Sequence, residues 1–327
     1  MPRIFEQLFP TLTSPTARLP AIGEWLLTEV WQTKKYPHPD PVAFLRSGEE
    51  KVNELESVLC AAAWRLYDEF QSPPDDSRNL LAFLAGQRPC AAVVFDGLSL
   101  REIPAVLHLA EESGFTVREV GFSQSAIPSE TMDFVEERLD LPSTAPSQLP
   151  CRQALREKGI ATYYYPHPNH REQLDRLSSA LLVWSAFPDV TYKDSGARFA
   201  EHFAQLDQTL KAAWTNTVQQ IPKGRTILVT SDHGYVFFGP GLSLPRQNAE
   251  LAEITRRFGG DRYCHLLGGE IALEHPDVAL VSNHSGNPIM MIRGRVQTHV
   301  PGGQTSRLYK HGGLSLMEML TPWVVLE

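Results

Sequence analysis

The chain has 327 residues, 42% of them hydrophobic and 21% charged, enough for one large or two small domains with a sizeable packed core. A formal net charge of −8 argues against broad, sequence-independent binding of nucleic acid through a basic surface, while leaving room for a local basic groove. Four scattered cysteines (Cys60, Cys90, Cys151 and Cys264), without a CxxC pair or a signal-peptide pattern, read as reduced thiols in a cytoplasmic protein; no apolar run reaches the ~18 residues of a membrane span.

Residues 1 to 86 show no clear β-branched strand and carry helical patches instead. In GEEKVNELESVLCAAAWRLYDEF (48–70), Val52, Leu55, Val58, Leu59, Ala62 and Leu66 recur at helical spacing. YPHPDP (36–41) and SPPDDS (72–77) interrupt the pattern. This part is expected to be a small helical region that caps a site or recruits a partner.

From residue 87 the pattern changes to alternating strands and helices. CAAVVFDG (90–97) is a continuous apolar run ending in Asp-Gly, followed by a helical segment, REIPAVLHLAEESG (101–114), with glycine at the C-cap position. FTVREVGFS (115–123) alternates as a strand does, and PSETMDFVEERL (128–139) opens as a helix. SALLVWSAFPD (179–189) is a second apolar strand, a long helical stretch runs from Gly196 to Ile221, and TILVTSD (226–232), VALVS (278–282) and PIMMIRGR (288–295) complete the strands. Residues 239–277, rich in glycine and proline, read as an insertion or lid. Apolar strands alternating with helices imply an α/β fold with a mainly parallel central sheet covered on both faces. In such folds ligands bind beyond the carboxyl ends of the strands.

Three strand-like runs end in acids there: Asp96, Asp189, and Asp232 with His233 beside it. A fourth polar element, KHGGLS (310–315), places His311 next to two glycines. Carboxylates gathered at one sheet edge repel and are costly to bury unless a cation is present. Oxygen and imidazole ligands together suit zinc, with manganese as the alternative, and the set is large enough for two ions flanking a phosphate. SAIPSETM (125–132) offers Ser125, Ser129 and Thr131 at the start of a helix. These hydroxyls read either as ordinary helix caps or as a nucleophile beside a phosphate held by helix N-terminal amides.

The ordered set VVFDGLS, AIPSET, LLVWSAFPD, ILVTSDHGYVF and RLYKHGGLSLMEMLTPWVVL resembles the PglZ domain of the alkaline phosphatase superfamily, over roughly residues 88–327. The resemblance implies an alkaline phosphatase-like three-layer core, in a compact stand-alone form, with a binuclear zinc-type site. It matches Asp96, Asp232, His233 and His311 to metal ligands, and Asp189 to an acidic ligand of the other metal, with Asp194 or His202 standing in for a further histidine. It places the nucleophile at Ser129 or, second, Thr131. Sulfatases and nucleotide pyrophosphatases carry theirs two residues before the proline, which here is Ala126. Arg293, Arg295, Arg307 and Lys310 are candidates for a second phosphate or a nucleic-acid backbone, Arg307 and Lys310 foremost.

The function so implied is a metal-dependent phosphodiesterase acting on a nucleotide or nucleic-acid phosphate ester. It implies partner proteins of a bacterial phage-defence system such as BREX, and no membrane. The alternatives are a non-catalytic scaffold subunit of such a complex and a phosphomutase.

Overall fold

In a computed structural model of the chain, the described residues are Leu8, Leu12 and 18–31, 38–62, 64–71, 78–86, 88–192, 199–239, 241–297 and 309–327, excluding the side chains of 192 and 199–205. The fold is α/β. Its centre is a six-stranded sheet built from β1 (Cys90–Phe95), β2 (Val117–Gln124), β3 (Ile160–Tyr165), β4 (Ala180–Ser185), β5 (Thr226–Thr230) and, at the far end of the chain, Leu320–Leu326. With four further short strands between them, β6 (Val236–Phe237), β7 (Tyr263–His265), β8 (Val278–Ser282) and β9 (Pro288–Ile292), plus β10 (Tyr309–Lys310), that last strand is β11. The sheet order is β2-β11-β5-β1-β4-β3. β1 is parallel to both β4 and β5, and β3 to β4, while β11 runs antiparallel to β2 and β5.

The continuous apolar runs of β1 and β4 reflect this position: every residue of both strands is buried. Alternate residues of β1 serve opposite faces. Ala91, Val93 and Phe95 pack with the helices Ile103–Glu112 and Phe199–Asn216, whereas Cys90, Ala92 and Val94 pack with Phe134, Val135 and Trp184. The expected three layers are therefore present. The register aligns the strand ends: Phe95 lies opposite Ser185, and Val94 opposite Thr230, so β1, β4 and β5 end at one level.

Two sheet strands lie outside those expected from the sequence. β3 (IATYYY) is the edge strand beside β4, and β11 carries Pro322 in the sheet interior. Proline cannot donate to a ladder. Here its carbonyl is used instead, accepting from Thr230 Oγ1 at 2.7 Å.

A third core joins the N-terminal helices Arg18–Trp25 and Pro41–Ala62 to β8, β9 and the helix Asn248–Phe258, through residues such as Trp31, Leu55, Ile254, Met291 and Leu316. Residues 241–277 thus contribute a helix and β7, which pairs with β9, and Leu251, Ile254 and Phe258 are buried. Between this core and the sheet, Glu49 is fully buried and ion-paired with Arg101 (Nε to Oε1, 2.8 Å) and with Arg295. Gly48 beside it permits close approach, because a Cβ there would sit 2.1 Å from the Trp31 ring. Arg293 is likewise buried, paired with Asp68 at 2.9 Å and lying 4.5 Å over the Trp64 ring. No described helix is long and apolar enough to cross a membrane.

Removing one partner of a buried ion pair leaves uncompensated charge, at a cost of about 3–5 kcal/mol. Glu49→Ala, which strands two guanidinium groups, is expected to lose stability of that order in urea denaturation. A loss under about 1 kcal/mol would assign the join to apolar packing alone.

Candidate metal and nucleophile site

The level ends of β1, β4 and β5 deliver four of the expected residues to one place. Asp96 follows β1 directly, Asp232 and His233 follow β5, and Asp189 opens the short helix after β4. Backbone bonds set the spacing: Asp96 N donates to Ser185 O and Asp189 N donates to Asp96 O, both at 2.9 Å. Ser231 Oγ donates to Phe95 O at 2.7 Å, locking the end of β5 to that of β1. Asp232 is fully buried, and its Oδ1 accepts from Gly97 N at 3.0 Å and from His233 N at 2.9 Å.

His233 is fully buried, with Nδ1 2.9 Å from Gly234 O. A carbonyl only accepts, so Nδ1 carries a proton, and Nε2 is the ring nitrogen turned to the cluster. That nitrogen lies 3.6 Å from Asp96 Oδ1 and 3.7 Å from Asp232 Oδ2. His311 comes from the loop between β10 and the helix Leu316–Met319, and its ring stacks on His233 with centroids 4.1 Å apart and planes 14° from parallel. His311 Nε2 lies 3.6 Å from Asp189 Oδ1. Two groups result, Asp96–Asp232–His233 and Asp189–His233–His311, each with its ligand atoms within 4.8 Å of one another.

The two hydroxyls expected nearby face different ways. Thr131, the first residue of the helix Thr131–Leu139, points its Oγ1 into the first group: it donates to Asp232 Oδ2 at 2.7 Å and lies 3.4 Å from both Asp96 Oδ1 and His233 Nε2. Ser129 is fully buried and bridges the His-Gly-Gly loop, donating to Gly313 O at 2.9 Å and accepting from Gly312 N at 3.0 Å. Ser125 donates to Asp232 O at 2.7 Å, beneath the site. Lys310 donates to Gly260 O at 2.8 Å. Arg307, Asp194 and the His202 side chain lie outside the described residues.

Two further groups touch the cluster and carry no signal in the sequence. Trp184, buried in β4, has Nε1 3.5 Å from Asp96 Oδ2. Glu130 has Oε1 3.1 Å from His311 Nδ1. An acid before a helix reads as a cap, and only tertiary placement distinguishes the two uses.

The electrostatics test whether cations fit. Burial, reinforced by Asp232 and Asp189, holds the Asp96 carboxyl well above the ordinary carboxylate range. Burial alone would lower the pKa of His311, but Glu130, Asp189 and Asp96 outweigh it and push it up to about 10. Protons therefore offset the gathered negative charge. Divalent cations would offset it equally, and the oxygen–imidazole donor set fits zinc or manganese.

No protein-family model and no curated protein matches the sequence. Solved structures similar to the chain include phosphonoacetate hydrolase from Sinorhizobium meliloti 1021 in complex with phosphonoformate, at 14% identity and a TM-score of 0.40, covering 73% of this chain and 90% of that one. Murine ectonucleotide pyrophosphatase/phosphodiesterase 5 is similar at 13% identity and a TM-score of 0.44, over 72% and 87% of the two chains. The human protein of that name is similar at 11% and 0.39, over 72% and 87%. At these values the chemistry of this chain has to be read from its own residues.

Two outcomes test the site. A Cβ on Gly234 would sit 2.1 Å from Met317 O, so Gly234→Ala must displace the backbone next to His233. It is expected to cost about 1–3 kcal/mol in thermal or urea unfolding and to weaken zinc or manganese binding; wild-type values for both would show that the turn yields without consequence. Cation binding must also displace protons, so apparent affinity should rise with pH by up to tenfold per unit for each proton released, continuing towards pH about 10 where His311 loses its own. Calorimetric titrations in buffers of different ionisation enthalpy measure that release. Without metal the linkage has the opposite sign: the stabilisation from His311 is full below its ordinary 6.5 and fades as pH rises through about 10.

Proposed function

We propose that the protein is a divalent-metal-dependent phosphohydrolase that cleaves phosphate diesters with Thr131 as nucleophile. The observation that carries this reading is the 2.7 Å hydrogen bond from Thr131 Oγ1 to Asp232 within a cluster of acids and imidazoles. Asp96, Asp232 and His233 would hold one cation, and Asp189 with His311 a second. Bound there, the cations supply positive charge that lowers the pKa of a neighbouring hydroxyl and offsets charge developing on phosphate oxygens.

The residues of the chain account for the remainder. The first-turn amides of Thr131–Leu139 would serve as donors to an incoming phosphate. Thr131 Oγ1 loses its proton to solvent and bonds to phosphorus while the bond to the leaving group breaks, the departing alkoxide taking up a proton from solvent. Water then cleaves the phosphothreonine ester and restores the hydroxyl. Ser129, the other candidate, has its oxygen engaged by both glycines of the His-Gly-Gly loop, which supports a structural role for it. The choice of a diester over a monoester, and of a nucleotide or nucleic-acid ester, is drawn from the sequence resemblance. A cytoplasmic role beside partner proteins of a phage-defence system rests on the sequence as well.

Hydrolysis of bis-p-nitrophenyl phosphate and p-nitrophenyl phosphate with zinc or manganese tests the reading. Thr131→Ala and Asp232→Ala are each expected to lower kcat by about a thousandfold or more, whereas Thr131→Ser retains turnover. Ser129→Ala should act mainly on stability. Wild-type turnover in Thr131→Ala removes it as nucleophile. A folded wild type that hydrolyses neither ester with either metal would point instead to a non-catalytic scaffold.

A further inference from the structure

We infer that Glu130 is a positioning residue that pins His311 through Nδ1, and that the Asp189–His311 cation subsite depends on it for affinity. The inference rests on the metal-binding reading above and extends it to a residue outside the ligand set.

The two stacked imidazoles are held differently. His233 Nδ1 faces a neutral acceptor, Gly234 O at 2.9 Å, and its Nε2 faces two carboxylates, Asp96 and Asp232. His311 Nε2 lies 3.6 Å from one carboxylate, Asp189, and its Nδ1 lies 3.1 Å from a second, Glu130, an ion-pair contact in which the ring N–H is not aligned on the carboxylate. A carboxylate this close to Nδ1 favours the proton there, and when it accepts from that N–H it holds the ring plane and raises the basicity of Nε2.

Glu130 occupies the N-cap position of the helix Thr131–Leu139, yet its side chain makes no capping hydrogen bond. The local use of an acid at that position is forgone in favour of His311. The approach also needs Gly312: a Cβ there would lie 2.7 Å from Glu130 Oε1, and its φ of +98° is one that L side chains rarely adopt.

The test is calorimetric titration of the metal-free full-length chain with Mn²⁺, read as binding rather than turnover. Wild type should show two binding events, the tighter removed by Asp232→Asn and the weaker by Asp189→Asn. Glu130→Ala should weaken the second event by about ten- to a hundredfold and leave the first unchanged. Glu130→Gln, which keeps an acceptor oxygen for Nδ1 but not the charge, should fall between; if Glu130→Ala does not fold, this variant decides. The role is overturned if both events survive Glu130→Ala, or if both weaken equally. A single event that Asp232→Asn abolishes and Glu130→Ala leaves intact would retain metal binding while removing the role of Glu130. No Mn²⁺ binding by wild type would overturn the metal reading itself.

Discussion

Like charge gathered at one edge of a sheet is the constraint around which this molecule is arranged. Parallel strands of matched register bring Asp96, Asp189 and Asp232 to one level, and three carboxylates with little access to water repel. The surrounding structure is a set of answers to that repulsion. Backbone amides of Gly97 and His233 hold one oxygen of Asp232, Thr131 holds the other, the Trp184 indole approaches Asp96, and His311 lies between Asp189 and Glu130. Cations would complete the list.

The support beneath is equally specific. The Asp-His-Gly turn and the helix after the His-Gly-Gly loop come from distant parts of the chain and are joined by Gly234 N to Glu318 O at 3.0 Å. Glu318 is itself fully buried, paired with Arg262 at 2.6 Å, and accepts from Gly313 N and Ser315 N. Ser129 ties the same loop to the start of the Thr131 helix. Burying the Glu318–Arg262 pair carries a desolvation cost, and its return is a loop whose one imidazole arrives stacked on His233.

How much of the site is legible in the sequence depends on whether each signal is local. The apolar runs of β1, β4 and β5 and the acids that end them are local patterns, and they place Asp96, Asp189, Asp232 and His233 at one edge. β11 is an apolar run too, but Pro322 reads against an interior strand, and it fits only because its carbonyl accepts from Thr230. The choice between Ser129 and Thr131 is open in the sequence for a related reason. The two are separated by one residue, and which hydroxyl enters the cluster depends on how the helix start docks against the His-Gly-Gly loop. Glu130 and Trp184 carry no local mark, because one resembles a cap and the other a core residue.

β11 pairs with β2 across roughly two hundred positions of chain, and the same stretch that leads into it carries His311. During synthesis the earlier part of the chain can present Asp96, Asp189, Asp232 and His233, but β2 lacks its sheet partner and the second imidazole is missing. Closing so distant a contact is slow compared with forming local helices. The sheet and the acid–imidazole cluster are therefore both completed only when residues 309–326 are in place, so that an incompletely folded chain does not hold the whole cluster.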